Sequence, residues 1–132
     1  MSSPTEAKQL TASLDPQLAA ALARSEEIAA TLGPAGPGVA GARGQFLASR
    51  AWWNEGGPQL AIDRDDVIAL SPQRQVKVAI YAAQASRSPR PAYVFLHGGG
   101  SKLGAPRPSD RQLRELAAAW GGIVVSLDYA HM

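Results

Sequence analysis

Between Tyr93 and Leu127 the chain reads as an apolar run, a glycine-rich loop, an amphipathic helix and a second apolar run. That order leaves few folds open. Tyr93-Val94-Phe95-Leu96 carries no charged residue and no proline, which predicts a strand buried on both faces. Ser109 and Gln112 have the spacing of a capping box, and Leu113, Leu116, Ala117 and Trp120 fall at i, i+3, i+4 and i+7. Gly121 suits the cap at the other end of that helix. Ile123-Val124-Val125-Ser126-Leu127 then predicts a second buried strand. Strand, helix and strand within about 35 residues pair in parallel through a right-handed crossover.

The preceding sequence has a different rhythm. Asp66–Leu70 and Val76–Tyr81 flank the turn-forming Ser71-Pro72-Gln73-Arg74-Gln75, and Val76, Val78 and Ile80 alternate with other residues. These predict a half-buried antiparallel hairpin. Further upstream, Asp15-Pro16 is an N-cap followed by proline at the first helical position, with Leu14 as a staple. Leu18, Leu22, Ala29 and Leu32 lie close to helical spacing, and Gly33-Pro34 ends the run. Residues 33–44 hold five Gly and two Pro and read as a linker. A second helix is predicted from Gln45 to Asn54, closed by Gly56-Gly57-Pro58. The expected fold class is α/β: an antiparallel hairpin leading into a parallel βαβ unit. Residues 1–58 form a helical region and residues 59–132 the core.

Composition narrows the chemistry. The 132 residues carry 13 Lys+Arg against 11 Asp+Glu, a formal +2, too weak a balance to argue for a nucleic-acid partner. The absence of cysteine excludes disulfides, thiolate zinc sites, iron–sulfur clusters and a thiol nucleophile. No run approaches the ~18 apolar residues of a membrane span, and Met1–Asp15 has no apolar signal core. A cytoplasmic protein without cofactor or metal is expected. Asp63, Asp65 and Asp66 resemble a metal cluster by composition alone, lack a histidine partner and read as a charged turn. Lys102, Arg107 and Arg111 read as a solvated helix start, with attraction of an acidic ligand as the alternative.

The residues that carry chemistry are His97-Gly98-Gly99-Gly100, at the C-terminal end of a strand, where open α/β sheets gather their ligands. Consecutive glycines leave backbone N–H groups unshielded, which suits a phosphate or the oxyanion of an acyl intermediate. Phosphate motifs fit poorly. A G-x-G-x-x-G beginning at Gly98 meets Leu103 where glycine is needed, and Lys102 is followed by Leu103 rather than Ser or Thr. The literal match Gly36–Gly41 follows a helix and contains proline, so it reads as linker.

Tyr93–Gly100, Leu116-Ala117 and Ile123-Val124-Val125-Ser126-Leu127-Asp128-Tyr129 resemble the N-terminal part of α/β-hydrolase esterases of the hormone-sensitive-lipase group. The hairpin and the N-terminal helices beginning Leu14-Asp15-Pro16 are similar to that group as well. The resemblance implies an incomplete α/β-hydrolase sheet preceded by cap helices, and ester hydrolysis through a serine acyl-enzyme. It implies oxyanion donors at Gly99 and Gly100, and a loop-anchoring rather than catalytic role for His97, with Gly98 completing the motif. Ser101 stands where the group usually has an aromatic residue, and Ala130-His131-Met132 where it has Arg-Leu-Ala-Pro-Glu. Ser101, Trp52 and Trp53 are candidates for a substrate pocket; two adjacent indoles that simply hold a helix to the sheet are the plainer reading.

The chain contains no G-x-S-x-G elbow; Gly99-Gly100-Ser101-Lys102-Leu103 ends in leucine, and both histidines are placed, His97 in the loop and His131 near the terminus. Nucleophile, acid and base are therefore missing from these residues, and the chain alone is expected to be inactive towards a small-molecule ester. A non-catalytic binding module and a small anion- or nucleotide-binding module are the alternatives. The group's sheet order also implies that Tyr93–Leu96 lacks a neighbour on one side, which predicts self-association through that edge.

Overall fold

Local signals build the first helix. In the computed structural model, which describes residues 14–86, 88–100 and 102–129, α1 spans Pro16–Leu32. The Asp15 carboxylate accepts the Gln17 N–H at 2.8 Å, and Gly33 follows the last turn with φ 67°. Leu18 and Leu22 remain close to half exposed. The chain divides into two compact units between Pro34 and Ala35, and α1 belongs to the first.

The second unit opens with α2, Gly38–Ser49, and a single 3-10 turn, Trp52–Asn54. Residues 38–44 are thus helical, which corrects their reading as linker. Glycine and proline make this segment a weak helix former on its own, and Arg43 ties it in place through the Gly104 carbonyl at 2.8 Å and Asp128 at 3.5 Å.

The sheet follows: β1 Ile62–Ser71, β2 Arg74–Ala82, β3 Ala92–Leu96 and β4 Ile123–Leu127, with α3 Asp110–Trp120 between the last two strands. Its order is β1-β2-β4-β3. β1 and β2 form the antiparallel hairpin, from Ile62 opposite Ala82 to Ser71 opposite Arg74. β2 pairs with β4 antiparallel, and β3 pairs with β4 in parallel from Ala92–Ile123 to Leu96–Leu127. The fold class is therefore the expected α/β arrangement, a hairpin joined to a βαβ unit.

Ala79, Tyr81 and Val124 of the sheet bury against Leu113 and Ala117 of α3, with Leu60, Phe95 and Leu116 packed around them. β4, between two strands, is inaccessible at Val124 and Ser126. β3 differs from expectation. Tyr93, Val94 and Leu96 are 46%, 56% and 63% exposed, because β3 is an edge with β4 on one side only among the described residues. Trp120 shields one of them, meeting the Tyr93 ring edge-on at 6.4 Å.

The start of α3 also departs from the sequence reading. Ser109, at φ −115° and ψ 24°, makes no capping hydrogen bond. The first turn is capped instead by Asn54, whose Oδ1 accepts the Arg111 N–H at 3.2 Å. Gly121 closes the helix as expected, at φ 76°, donating to the Ala117 carbonyl.

Candidate functional site

The His97–Gly100 segment leaves β3 at its C-terminal end and runs into a loop that reaches α3. Gly99 and Gly100 take φ values of 122° and 60°, in the region that favours glycine. The Gly99 carbonyl turns inward and accepts the N–H groups of Lys102 and Leu103 at 3.1 and 3.0 Å. Among the described residues no acceptor meets the N–H of Gly99 or Gly100. Two donors on a tight backbone turn can serve an anion or a developing oxyanion.

What holds this loop is a set of long-range contacts. His97 is 6% exposed, and its ring stacks on Tyr129 with centroids 4.3 Å apart. The Tyr129 hydroxyl donates to the His97 carbonyl at 2.6 Å, while His97 Nδ1 lies 3.1 Å from the Gly98 carbonyl. Further along, Arg43 donates to the Gly104 carbonyl, buried Ser126 to the Pro106 carbonyl at 2.9 Å, and Asn54 to the Arg107 carbonyl at 3.2 Å. Gly104 passes so close to the loop that a β-carbon there would collide with His97 Nδ1 and the Gly98 carbonyl. A β-carbon on Gly99 would come within 2.5 Å of the Gly104 nitrogen. These contacts hold His97 against Tyr129 and bring Gly104 against the glycine turn.

Beneath the loop an electrostatic cluster ties sheet to helix. Asp63 and Asp65, two apart on β1, share a face that Arg107 covers with ion pairs of 2.6 and 2.9 Å. Arg107 also pairs with Asp110 at 2.6 Å and lies over the Tyr81 ring. Arg114 joins Asp110 at 2.8 Å and donates to the carbonyls of Pro58, Asn54 and Gly56. Burial alone would raise the Asp110 pKa, but hydrogen bonds from Arg107, Arg114 and Tyr81 outweigh it and hold the carboxyl below its ordinary value. The Tyr81 hydroxyl is pushed upward by burial and by the Asp110 charge. Burial opposes the charge of Arg107, yet its bonds to Asp63, Asp110 and Asp65 raise its pKa further.

This cluster corrects two sequence readings. Asp63 and Asp65 are partners of an arginine rather than members of a bare charged turn, and Arg107 is held by three carboxylates, neither a merely solvated side chain at a helix start nor one awaiting an acidic ligand. Arg111 is likewise engaged, with Glu115 at 2.9 Å and the Glu55 carbonyl. Gly104, Tyr129, Arg43, Ser126 and Asn54 were not singled out by the sequence as loop supports. The bonds run over as many as 61 residues, a separation at which no local pattern speaks.

Two clefts adjoin the loop. One, of about 170 Å³, is lined by Phe46 and Arg50 of the α2 end, by His97, Gly98 and Gly99, and by Gly104 and Ser109 on the far side. The other, of about 550 Å³, contains Trp52 and Trp53, whose rings meet edge-on at 4.7 Å. Arg50, Pro108 and Ser109 line both. The two tryptophans line a groove that meets the smaller cleft only at Arg50, Pro108 and Ser109 and contains none of His97–Gly100, and Trp53 is 40% exposed. Ser101 and His131 lie outside the described residues. No helix among the described residues is long and apolar enough to cross a membrane.

No family model matches the chain. Solved structures do. An ester-hydrolase from the metagenome of Lake Arreo superposes with a TM-score of 0.71 and 22% identity, covering 89% of this chain and 38% of its own. A hyperthermophilic esterase from the archaeon Pyrobaculum calidifontis gives a TM-score of 0.64 and 29% identity, over 71% of this chain and 30% of its own. A bacterial heroin esterase gives 0.63 and 24%, over 92% and 37%. The chain thus spans about a third of the length of the structures it matches. Its sheet, crossover helix and glycine loop have the fold of part of an α/β-hydrolase, and its structural neighbours are esterases.

Proposed function

We propose that this chain is the oxyanion-loop portion of a serine carboxylic ester hydrolase, with Gly99 and Gly100 as backbone donors to the tetrahedral intermediate. The observation that carries the reading is the pair of positive-φ glycines with unaccepted N–H groups, on a loop clamped at His97, Gly104, Pro106 and Arg107. A preorganised donor pair stabilises charge without reorganisation in the transition state. His97 anchors the loop and takes no proton from substrate. Trp52 and Trp53, with Ser101, shape the substrate pocket, and residues 1–58 belong to the hydrolase's helical cap region.

The 132 residues do not turn over esters by themselves in this reading, because they hold no elbow serine and no base to activate one. They act within a cytoplasmic hydrolase, and the open edge of β3 self-associates when it has no strand beside it. Joining this chain to the remaining part of the Pyrobaculum esterase tests the proposal. Hydrolysis of a short-chain p-nitrophenyl ester is expected from the joined protein and from neither piece. A Ser101-dependent burst of nitrophenol from this chain alone would overturn it. So would full activity of a joined protein carrying Gly99→Val. Stabilisation of the chain by phosphate, with no activity in the joined protein, would favour an anion-binding module.

A further inference from the structure

Arg50 closes α2 at the junction of the two clefts, lining both. Its guanidinium carbon lies 5.9 Å from the centre of the Phe46 ring, and its Nε is buried with no hydrogen-bond acceptor. Among the described residues no carboxylate pairs with it. Arg43, Arg107, Arg111 and Arg114, all close by in the same unit, are each held in an ion pair. No other lysine or arginine, and no carboxylate, lines the smaller cleft. A buried donor such as the Arg50 Nε left unpaired costs free energy that a charged acceptor would recover.

We propose that Arg50 is a specificity-determining residue that selects esters bearing a second, free carboxylate. The carboxylate accepts from the guanidinium, and the ester carbonyl lies towards the N–H of Gly99 in the same cleft, with Gly100 next along the loop. This orientation rests on the reading of those glycines as oxyanion donors. The small volume of the cleft, about 170 Å³, fits a short hemiester of a dicarboxylic acid.

The test titrates the 132-residue chain with monomethyl succinate and, separately, with dimethyl succinate, following backbone amide shifts. The hemiester is expected to bind about tenfold more tightly than the diester, the scale of one charge-assisted hydrogen bond. It should shift the amides of Arg50, Gly99 and Gly100 together. Arg50→Gln should remove the preference and Arg50→Lys should keep much of it, with unchanged circular dichroism in both. Equal binding of the two probes, no binding of either, or a preference that survives Arg50→Gln would overturn the role of Arg50. A hemiester preference that depends on Arg50 but leaves Gly99 and Gly100 unshifted would instead overturn the oxyanion reading and the substrate orientation, while keeping Arg50 as the anion contact.

Discussion

Glycine at 99 and at 104 is required for different reasons, one of them chemical. At Gly99 the φ of 122° and the approach to Gly104 exclude a β-carbon, and among the described residues no acceptor meets its N–H. In the joined, active protein Gly99→Val should lower kcat by about 10²–10³, the scale of losing an oxyanion donor, with a smaller effect on KM. At Gly104 the obstacle is packing: an alanine methyl would sit on the His97 ring. Gly104→Ala is expected to destabilise the chain by about 1–3 kcal/mol, as overpacking does, measured by urea unfolding. Tyr129→Phe removes the hydroxyl that donates to the His97 carbonyl. The cost should be about 1 kcal/mol, the net worth of one such bond.

At the scale of elements, α3 is attached to the hairpin by charge as much as by its apolar face. Asp110 receives Arg107, Arg114 and Tyr81, and its carboxyl is depressed below its ordinary value in the folded chain. The unfolded chain therefore takes up the proton first as pH falls. The stabilisation is complete above the ordinary aspartate range and is lost as pH drops through the folded value. Asp110→Asn should lower the urea midpoint near neutral pH, and the difference from wild type should shrink as pH falls below the ordinary aspartate range. A difference that stays constant as pH falls would show that the carboxylate charge is not what matters. Asn54 acts at the same junction, capping α3 and holding the Arg107 carbonyl. Asn54→Ala is expected to cost about 1–2 kcal/mol, as loss of a helix cap does.

For the whole molecule the decisive feature is the edge of β3. Val94 and Leu96, two apart, expose more than half of their surface beside unpaired backbone. Neither charge nor proline within Ala92–Leu96 blocks pairing with another chain. Light scattering after size exclusion should find species heavier than the 13.8 kDa chain, and Val94→Lys should return the monomer. A monomeric wild type with strongly protected amides over residues 92–96 would show that the edge is already covered.

Much of this fold was legible because its signals are local. An Asp-Pro start and a Gly-Pro stop bound α1, alternating residues around Pro72-Gln73 made the hairpin, and His97-Gly98-Gly99-Gly100 between a strand and a helix marked the site. Each acts within a few residues, through allowed dihedral angles and hydrogen bonds to near neighbours. Tertiary structure alone decided the rest. It made a helix of the glycine- and proline-rich stretch after Pro37, moved the α3 cap from Ser109 to Asn54, and turned Asp63 and Asp65 into partners of Arg107. It also left the side chains of Tyr93, Val94 and Leu96 exposed, although their apolar run is that of a strand covered on both faces; the open edge itself was already implied by the resemblance. Such choices depend on which distant groups come within hydrogen-bonding distance once β2 and β4 pair. A chain read in order carries the donors and acceptors; only the packed sheet decides which of them meet.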